Sequence, residues 1–460
     1  MFRRSVGSAG GVGTLTGGIL RWLGRRSPAN VAMIFGLSLV PMLVAAGTAV
    51  DLSRAIIVRA RLSKALDAAG LAVGSSLGLT NSEIQTLAKN YFDANYPQEK
   101  LGVPSDLVVT INGSIITMSA KASVTTTLLG LIGYDFLNVA TSSEITRSSN
   151  NLEVALALDT TGSMGGQKIS DLKEAAKDLI DLVIQAQQSP TYSKAAVVPY
   201  SNSVNAGNYD DQVRGAITNT GTCNSPGCKK YKFKNVSGSN VTFTVSSCVT
   251  ERTGSQAYTD ASPSSAKVGL NYPASNNPCI PNEIVPLTSN KTTLKNAVNA
   301  LQASGSTAGH IGIAWAWYML SPNFGYIWPG TSAGAPYGTE KLFKVAVIMT
   351  DGEFNTGYCN GVIAKDSGSG SGSSSDHINC NATNGSSFSQ ATELCKKMKE
   401  KGIIIYTVGF DLGSGNQAAK DVVNQCATSP QHVYLPESGV DLKDAFRSIA
   451  QDITNLRLSK

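Results

Sequence analysis

The sequence predicts an α/β domain built on a doubly wound, mostly parallel sheet with helices on both faces, preceded by a transmembrane helix and a small α+β unit. Three observations predict it. From about residue 151, short apolar runs ("LEVALALD", "KAAVVPYS", "FKVAVIMTD", "GIIIYTVGF") alternate with amphipathic stretches such as "KISDLKEAAKDLIDLVIQAQ" and "ATELCKKMKEKG", the strand-and-helix rhythm of a parallel sheet. Runs that are apolar throughout suit strands buried on both faces. From Ala29 to Val50, 22 residues pass without a charge, enough to cross a hydrocarbon core that takes roughly 20. Between these two regions, "DLVVTINGSIITMSAKASVTTT" reads as strands hinged at Asn112-Gly113, a strong hairpin signal.

Taken in order, residues 1–28 form a basic segment expected on the cytoplasmic side, and residues 29–50 the membrane helix. Pro41 is tolerable within it, because neighbouring groups in a membrane helix re-satisfy the freed carbonyl. A secretory signal peptide cut near Gly47-Thr48-Ala49 is the alternative reading of the same run. Arg54, Arg59, Arg61 and Lys64 follow the span just as five arginines precede it, so the positive-inside rule gives no orientation. Beyond the span, Ala55, Val58, Leu62, Leu66, Ala69 and Val73 recur at three- and four-residue spacing, which continues the helix outward with one apolar face. Residues 51–150 then form a stalk and a small α+β unit, a long helix followed by a small antiparallel sheet that resembles a pilin. The α/β domain occupies 151–457, with polar insertions at 205–282 and 355–388. The second insertion contains "SGSGSGSSS", a linker composition with no evident means of forming a core.

Charge and cysteine usage bound the function. The formal charge is +6, yet Arg3, Arg4, Arg21, Arg25 and Arg26 precede any acid and leave 33 basic against 32 acidic residues beyond them. The folded part therefore lacks the concentrated basic face of a nucleic-acid reader. The eight cysteines all lie from residue 223 onward, none in a C-x-x-C pair, and the three histidines are scattered, which argues against zinc. Disulfides in an oxidising compartment are the expectation, with buried free thiols as the alternative. The expected pairs are Cys395 with Cys426, Cys359 with Cys380, Cys248 with Cys279, and Cys223 with Cys228. They place the bulk of the chain outside the cytoplasm.

In open parallel sheets, ligands bind outside the carboxyl ends of the strands. There the turn after "LEVALALD" sets Asp159, Thr161 and Ser163 at alternate positions, with Gly162, Gly165 and Gly166 permitting a tight backbone. The strand "VAVIMT" ends in Thr350-Asp351-Gly352, and the turn "SGSTAGHIG" contributes Thr307 before a helix. Two carboxylates and several hydroxyls are a hard oxygen set, suited to Mg2+, or Mn2+ or Ca2+, with room for an outside carboxylate. Asp159 as a mere helix cap is the plain alternative for the first turn. His310 is read as a surface or supporting group, Trp315, Trp317 and Tyr318 as core, and Asn202 and Ser203 as either a border of the site or a polar turn.

D-T-T-G-S at 159–163, with Thr307 and Thr350-Asp351-Gly352, resembles the metal-site loops of von Willebrand factor A domains; Thr161 stands where serine is commoner. The resemblance implies a von Willebrand factor A-like fold and a metal-ion-dependent adhesion site in which Asp159, Thr161, Ser163, Thr307 and Asp351 hold the ion directly or through water. The layout as a whole is similar to the TadG-like proteins of tight-adherence (Flp-type) pilus systems, through "RRSPANVAMIFGLSLVPMLVAAGTAVDLSRAIIVRARLSKALDAA", "GSTAGHIGIAWAWYMLSP" and "KEKGIIIYTVGF". Nothing between Gly24 and Val50 is acidic, whereas processed pilin-like members carry a glutamate after the cleavage glycine, so an uncleaved anchor is expected. The pilus-family resemblance implies the periplasm of a bacterium for the bulk of the chain, with a single-pass anchor in the inner membrane.

The expectation for function is a non-catalytic assembly protein that grips an acidic group of another pilus or envelope component. No nucleic acid and no small-molecule substrate are expected. Two alternatives stand beside it. A hydrolase of the aspartyl-phosphate kind would use Asp159 as nucleophile beside Mg2+, although Thr161 stands where a second aspartate is wanted and no positioned lysine is evident. A purely structural anchor would carry a vestigial site.

Overall fold

In the computed structural model the described residues are 28–74, 76, 79–97, 101–112, 115–146, 150–215, 221, 229–274, 277–413 and 415–458. They form two compact units, one of residues up to 76 with 81–146, the other of 77–80 with 147–460.

The first unit starts with one helix, α1 (Pro28–Gly74), that passes through Pro41 without interruption. Val31–Gly74 is long and apolar enough to cross a membrane. The side chains from Val31 to Ala46 are almost all exposed. Farther along, Ala55, Val58, Leu62, Leu66, Ala69 and Val73 are buried, the face that the three- and four-residue spacing predicts. It packs on α2 (Asn81–Asn95), whose Ile84, Ala88 and Phe92 are buried, and on an antiparallel sheet of β1 (Val103–Asn112), β2 (Ile115–Thr125) and β3 (Phe136–Thr146), in that order. Asn112 pairs with Ile115 across the hairpin. On β2, Ile116, Met118, Ala120, Ala122 and Val124 are buried at every second position, the period of a sheet with one covered face.

The second unit is an α/β domain, a mostly parallel sheet with helices on both faces. Its sheet consists of β4 (Asn151–Asp159), β5 (Ser193–Tyr200), β6 (Val285–Thr288), β7 (Leu342–Thr350), β8 (Ile404–Gly409) and β9 (Val433–Tyr434), in the order β6-β5-β4-β7-β8-β9. All neighbours are parallel except β6 and β5.

Alternation along β4 separates two cores. Leu152, Val154, Leu156 and Leu158 join Leu172, Leu179, Phe446 and Ile449 on one face, which carries α3 (Gln167–Val183), α4 (Lys291–Asn299) and α8 (Gly439–Leu458). Ala155 and Ala157 face the other way, in the core that holds Trp315. The small alanines leave room there for α5 (Gly309–Leu320), which packs on α6 (Ser387–Glu400), itself packed on α7 (Gln417–Cys426). All of α5 is buried. A helix apolar all round needs cover on every side, and its outer side is covered by Val213, Val249 and Val268 of the first insertion.

The second insertion is not the coreless linker that its composition suggests. Residues 358–359 and 362–363 pair as a small hairpin, and Cys359, Val362, Ala364 and Ile378 share a satellite core with Phe233 and Tyr272 of the first insertion. The glycines of "SGSGSGSSS" are used for close packing. A Cβ on Gly372, at φ +104, would lie 2.3 Å from the Asn277 amide nitrogen. Disulfides join Cys248 to Cys279, Cys359 to Cys380 and Cys395 to Cys426; Cys223 and Cys228 lie outside the described residues.

Candidate metal centre

β4 and β7 are neighbours in the sheet, with Leu158 opposite Met349, so their carboxyl ends deliver Asp159 and Asp351 to the same rim. Both are buried. The turn after β4 folds back on itself: the Thr161 amide donates to Asp159 Oδ1 at 2.9 Å, and Thr161 Oγ1 lies 2.9 Å from Ser163 Oγ. Ser163 Oγ donates to Asp351 Oδ1 at 2.6 Å, which ties the two strand ends together. Thr350 Oγ1 donates to Asp159 Oδ2 at 2.8 Å, and the Tyr200 hydroxyl approaches the same oxygen at 3.3 Å.

The third turn is locked to the first through the main chain. Gly162 N donates to Gly305 O at 2.9 Å, and Ser304 N to Thr160 O at 2.8 Å. Gly305 has φ +79, and a Cβ there would come within 3.0 Å of Ser201 Oγ; the residue type is therefore fixed by both conformation and space. Thr307 follows, its amide donating to Asn355 Oδ1 and its carbonyl accepting from Asn355 N and Thr356 N. Asp159, Thr161, Ser163 and Asp351 thus form one hydrogen-bonded chain. Thr307 stands in the adjoining turn, bound by its backbone to the segment after Asp351.

Electrostatics at the rim favour a cation. Burial first, and then the neighbouring Asp351 carboxylate, push the Asp159 carboxyl up to about 7, against the hydrogen bonds from Thr161 and Thr350. Two acids facing one another out of water are strained by mutual repulsion unless positive charge lies between them. Some is supplied by Lys168, whose Nζ is 3.3 Å from Asp351 Oδ2 and 3.0 Å from Asp411 Oδ2. Partial desolvation pulls this ammonium down, but the bonds to Asp411 and Asp351 outweigh it and hold Lys168 above its ordinary value. The donors are all oxygen, two of them carboxylates, and they fit a hard dication. Among the described residues no group of three or more His, Cys, Asp or Glu is arranged to hold a metal, so hydroxyls must complete any shell here.

Lys168, Tyr200, Asn355 and Asp411 are parts of the site that the sequence pattern does not single out, whereas Thr350 belongs to the loop that it does. Lys168 lies within the same glycine-rich stretch, five residues past Ser163, and the fold brings it to both Asp351 and Asp411. Asp411, after β8, has no signal of its own beyond its place at a strand's carboxyl end. His310 is buried away from the rim, its Nε2 3.5 Å from Glu251 Oε2. Asn202 is a structural turn residue: its amide donates to Asn277 O and Pro278 O and pins the first insertion. Trp315, Trp317 and Tyr318 are core.

Residues 29–76 match the model of the Tad family, described as Flp pilus-assembly TadE/G-like. No curated protein matches the chain. Similar solved structures include the pilus adhesin SpaC from Lactobacillus rhamnosus GG, at 13% identity and TM-score 0.33 over 78% of this chain and 34% of that one. The vWF domain of the type V pili tip protein Mfa5 from Porphyromonas gingivalis gives 13% and 0.37, over 68% and 97%. A von Willebrand factor type A protein from Catenulispora acidiphila gives 12% and 0.30, over 75% and 47%. The chain spans about a third of the SpaC adhesin's length.

Proposed function

We propose that this TadG-like chain, a TadE/G-like N-terminal segment joined to a von Willebrand factor A-like domain, is a pilus-associated binding and assembly protein. Its long apolar helix anchors it by a single pass in the bacterial inner membrane, with the second unit in the periplasm. At the sheet's rim Asp159, Thr161, Ser163, Thr307 and Asp351 hold Mg2+, or Mn2+ or Ca2+, directly or through water, and the ion accepts a carboxylate from a protein partner in the pilus or envelope. When bound, the ion supplies Lewis acidity toward that carboxylate. The chain's own residues fix the oxygens in place: Thr350 and Tyr200 orient Asp159, and Ser163 orients Asp351.

The observation that carries this reading is the single hydrogen-bonded chain from Asp159 through Thr161 and Ser163 to Asp351. Donors so linked are already within a few ångströms of a common point, which reduces the ordering cost of binding an ion. Three disulfides in the second unit support an oxidising compartment.

The test is co-purification from detergent-solubilised membranes with and without a chelator. One specific neighbour should be retained with Mg2+, lost with chelator, and lost in Asp159→Ala protein that melts normally. Retention of every neighbour through both treatments would overturn the metal-dependent part.

A hydrolase reading is favoured by one observation, the ammonium of Lys168 beside Asp351. Against it, Thr161 occupies the position where aspartyl-phosphate chemistry wants a second acid. Phosphatase turnover that disappears in Asp159→Asn would move the assignment to an enzyme.

A further inference from the structure

We propose that the turn Leu128–Phe136 of the first unit dips into the outer leaflet of the membrane beside α1 and forms a second membrane contact. The proposal rests on the anchor reading above.

The sequence of this turn, "LLGLIGYDF", has one charge among nine residues. It joins β2 to β3 and includes a single 3-10 turn, Leu129–Ile132. Its apolar side chains point outward. Leu131 is 80% exposed, Tyr134 64%, Phe136 60%, Ile132 51% and Leu128 40%. Scattered exposed apolar residues need no explanation, but five within nine residues on one tip make a patch of the kind that marks an interaction surface.

Its position on α1 identifies the occupant. The Leu128 side chain rests on Gly47, where an added Cβ would lie 2.4 Å from Leu128 Cβ. Gly47 lies inside the uncharged run that ends at Val50, about 4.5 Å below its end at 1.5 Å per residue. At the end of that run Asp51 is buried. Its carboxylate accepts from Thr127 N, Leu128 N and Leu129 N, each at 3.0 Å. Arg54, one turn on, donates to Thr127 Oγ1 at 2.6 Å. The turn is thus clamped at the level where the helix leaves the hydrocarbon, and the same three bonds satisfy the one acid that would otherwise face lipid there. Aromatic rings flanked by aliphatic side chains suit this zone, and apolar tips that enter the headgroup boundary hold a protein to it. A soluble partner would have to reach below the membrane surface to cover this patch, whereas acyl chains already surround the adjoining helix.

The experiment uses the full chain reconstituted in phosphatidylcholine–phosphatidylglycerol vesicles, with an environment-sensitive fluorophore on Leu131→Cys, Leu43→Cys or Val440→Cys and the labelled parent as background. Quenchers are a lipid nitroxide near the top of the acyl chain, and iodide in water. The Leu131 probe should emit blue-shifted, lose intensity several-fold with the nitroxide and resist iodide; Val440, 71% exposed in the second unit, should behave oppositely. Gly47→Leu, which forces Leu128 away, should return the Leu131 probe toward water while the Leu43 probe stays quenched by lipid. Iodide quenching at Leu131 with lipid quenching at Leu43 would overturn the proposal and leave the anchor standing. Iodide quenching at both sites would overturn the anchor with it. Shielding of Leu131 from both quenchers would overturn the lipid contact and place a second copy of this chain on the turn.

Discussion

Lys168 is paired with Asp351 at 3.3 Å, so in the proposed metal centre it would compete with the ion for that carboxylate. It also reaches Asp411 at 3.0 Å, so the ammonium has a second partner to retain when a cation arrives. Two like charges a few ångströms apart repel by several kcal/mol at protein-like dielectric, and partial exposure of Lys168 screens much of this. Lys168→Met should therefore tighten Mg2+ binding about tenfold, or about 1.4 kcal/mol, measured by calorimetry. Weaker binding in the variant would instead assign Lys168 to holding Asp351 in position.

Binding of the ion should stabilise the second unit by mass action. At a free concentration a hundredfold above Kd the gain is about 2.7 kcal/mol, visible as a rise in Tm with Mg2+ that chelator reverses. Asp351→Asn should remove most of that rise, because the asparagine keeps the shape and loses the charge. An equal rise in the variant would place the ion elsewhere.

In the core α5 lies tight against β5. A Cβ on Gly312 would fall 2.4 Å from the Tyr200 ring, and Tyr200 in turn donates to Met349 O at 2.8 Å. Gly312→Ala should cost about 1–3 kcal/mol through overpacking and displace Tyr200 from Asp159. A denaturant melt would show the first effect. A fall in Mg2+ affinity larger than that of a distant variant of equal stability would show the second.

The Cys395–Cys426 bridge joins α6 to α7 and closes a loop with a sequence separation of 31. Chain entropy puts its contribution at about 3–4 kcal/mol. The double serine variant should unfold at correspondingly lower denaturant, with the metal rim, which neither helix supplies, still binding Mg2+ below the transition.

His432 provides a pH signature. Burial against Tyr406, with ring centroids 4.5 Å apart, lowers its value from the ordinary 6.5, more than Asp452 raises it. The unfolded chain therefore binds this proton more readily than the folded one. Stability from the neutral ring is full above the unfolded value and declines as pH falls from there toward the folded value. His432→Gln should flatten the fall in melting temperature as pH drops below the ordinary histidine value; an unchanged slope would exonerate this residue.

The sequence by itself determined the periods. The three- and four-residue spacing from Ala55 to Val73 specifies a buried helix face, the alternation on β2 a half-covered sheet, and the unbroken apolar runs of β4 and β7 strands covered on both sides. These are local properties of side-chain direction, so they are readable in one dimension. The oxygen-bearing turns were also legible, because strand ends and glycine spacing mark where a parallel sheet presents ligands. Only the tertiary structure decided what meets at those turns. Lys168 and Asp411 are separated by more than two hundred residues, and their pairing across Asp351 follows from the strand order β4-β7-β8, which no local pattern encodes. The same holds for "SGSGSGSSS", whose composition reads as a loose linker. Its lack of side chains instead lets the backbone close on Asn277 and Asn355, because space left by glycine is filled by whatever the fold brings there.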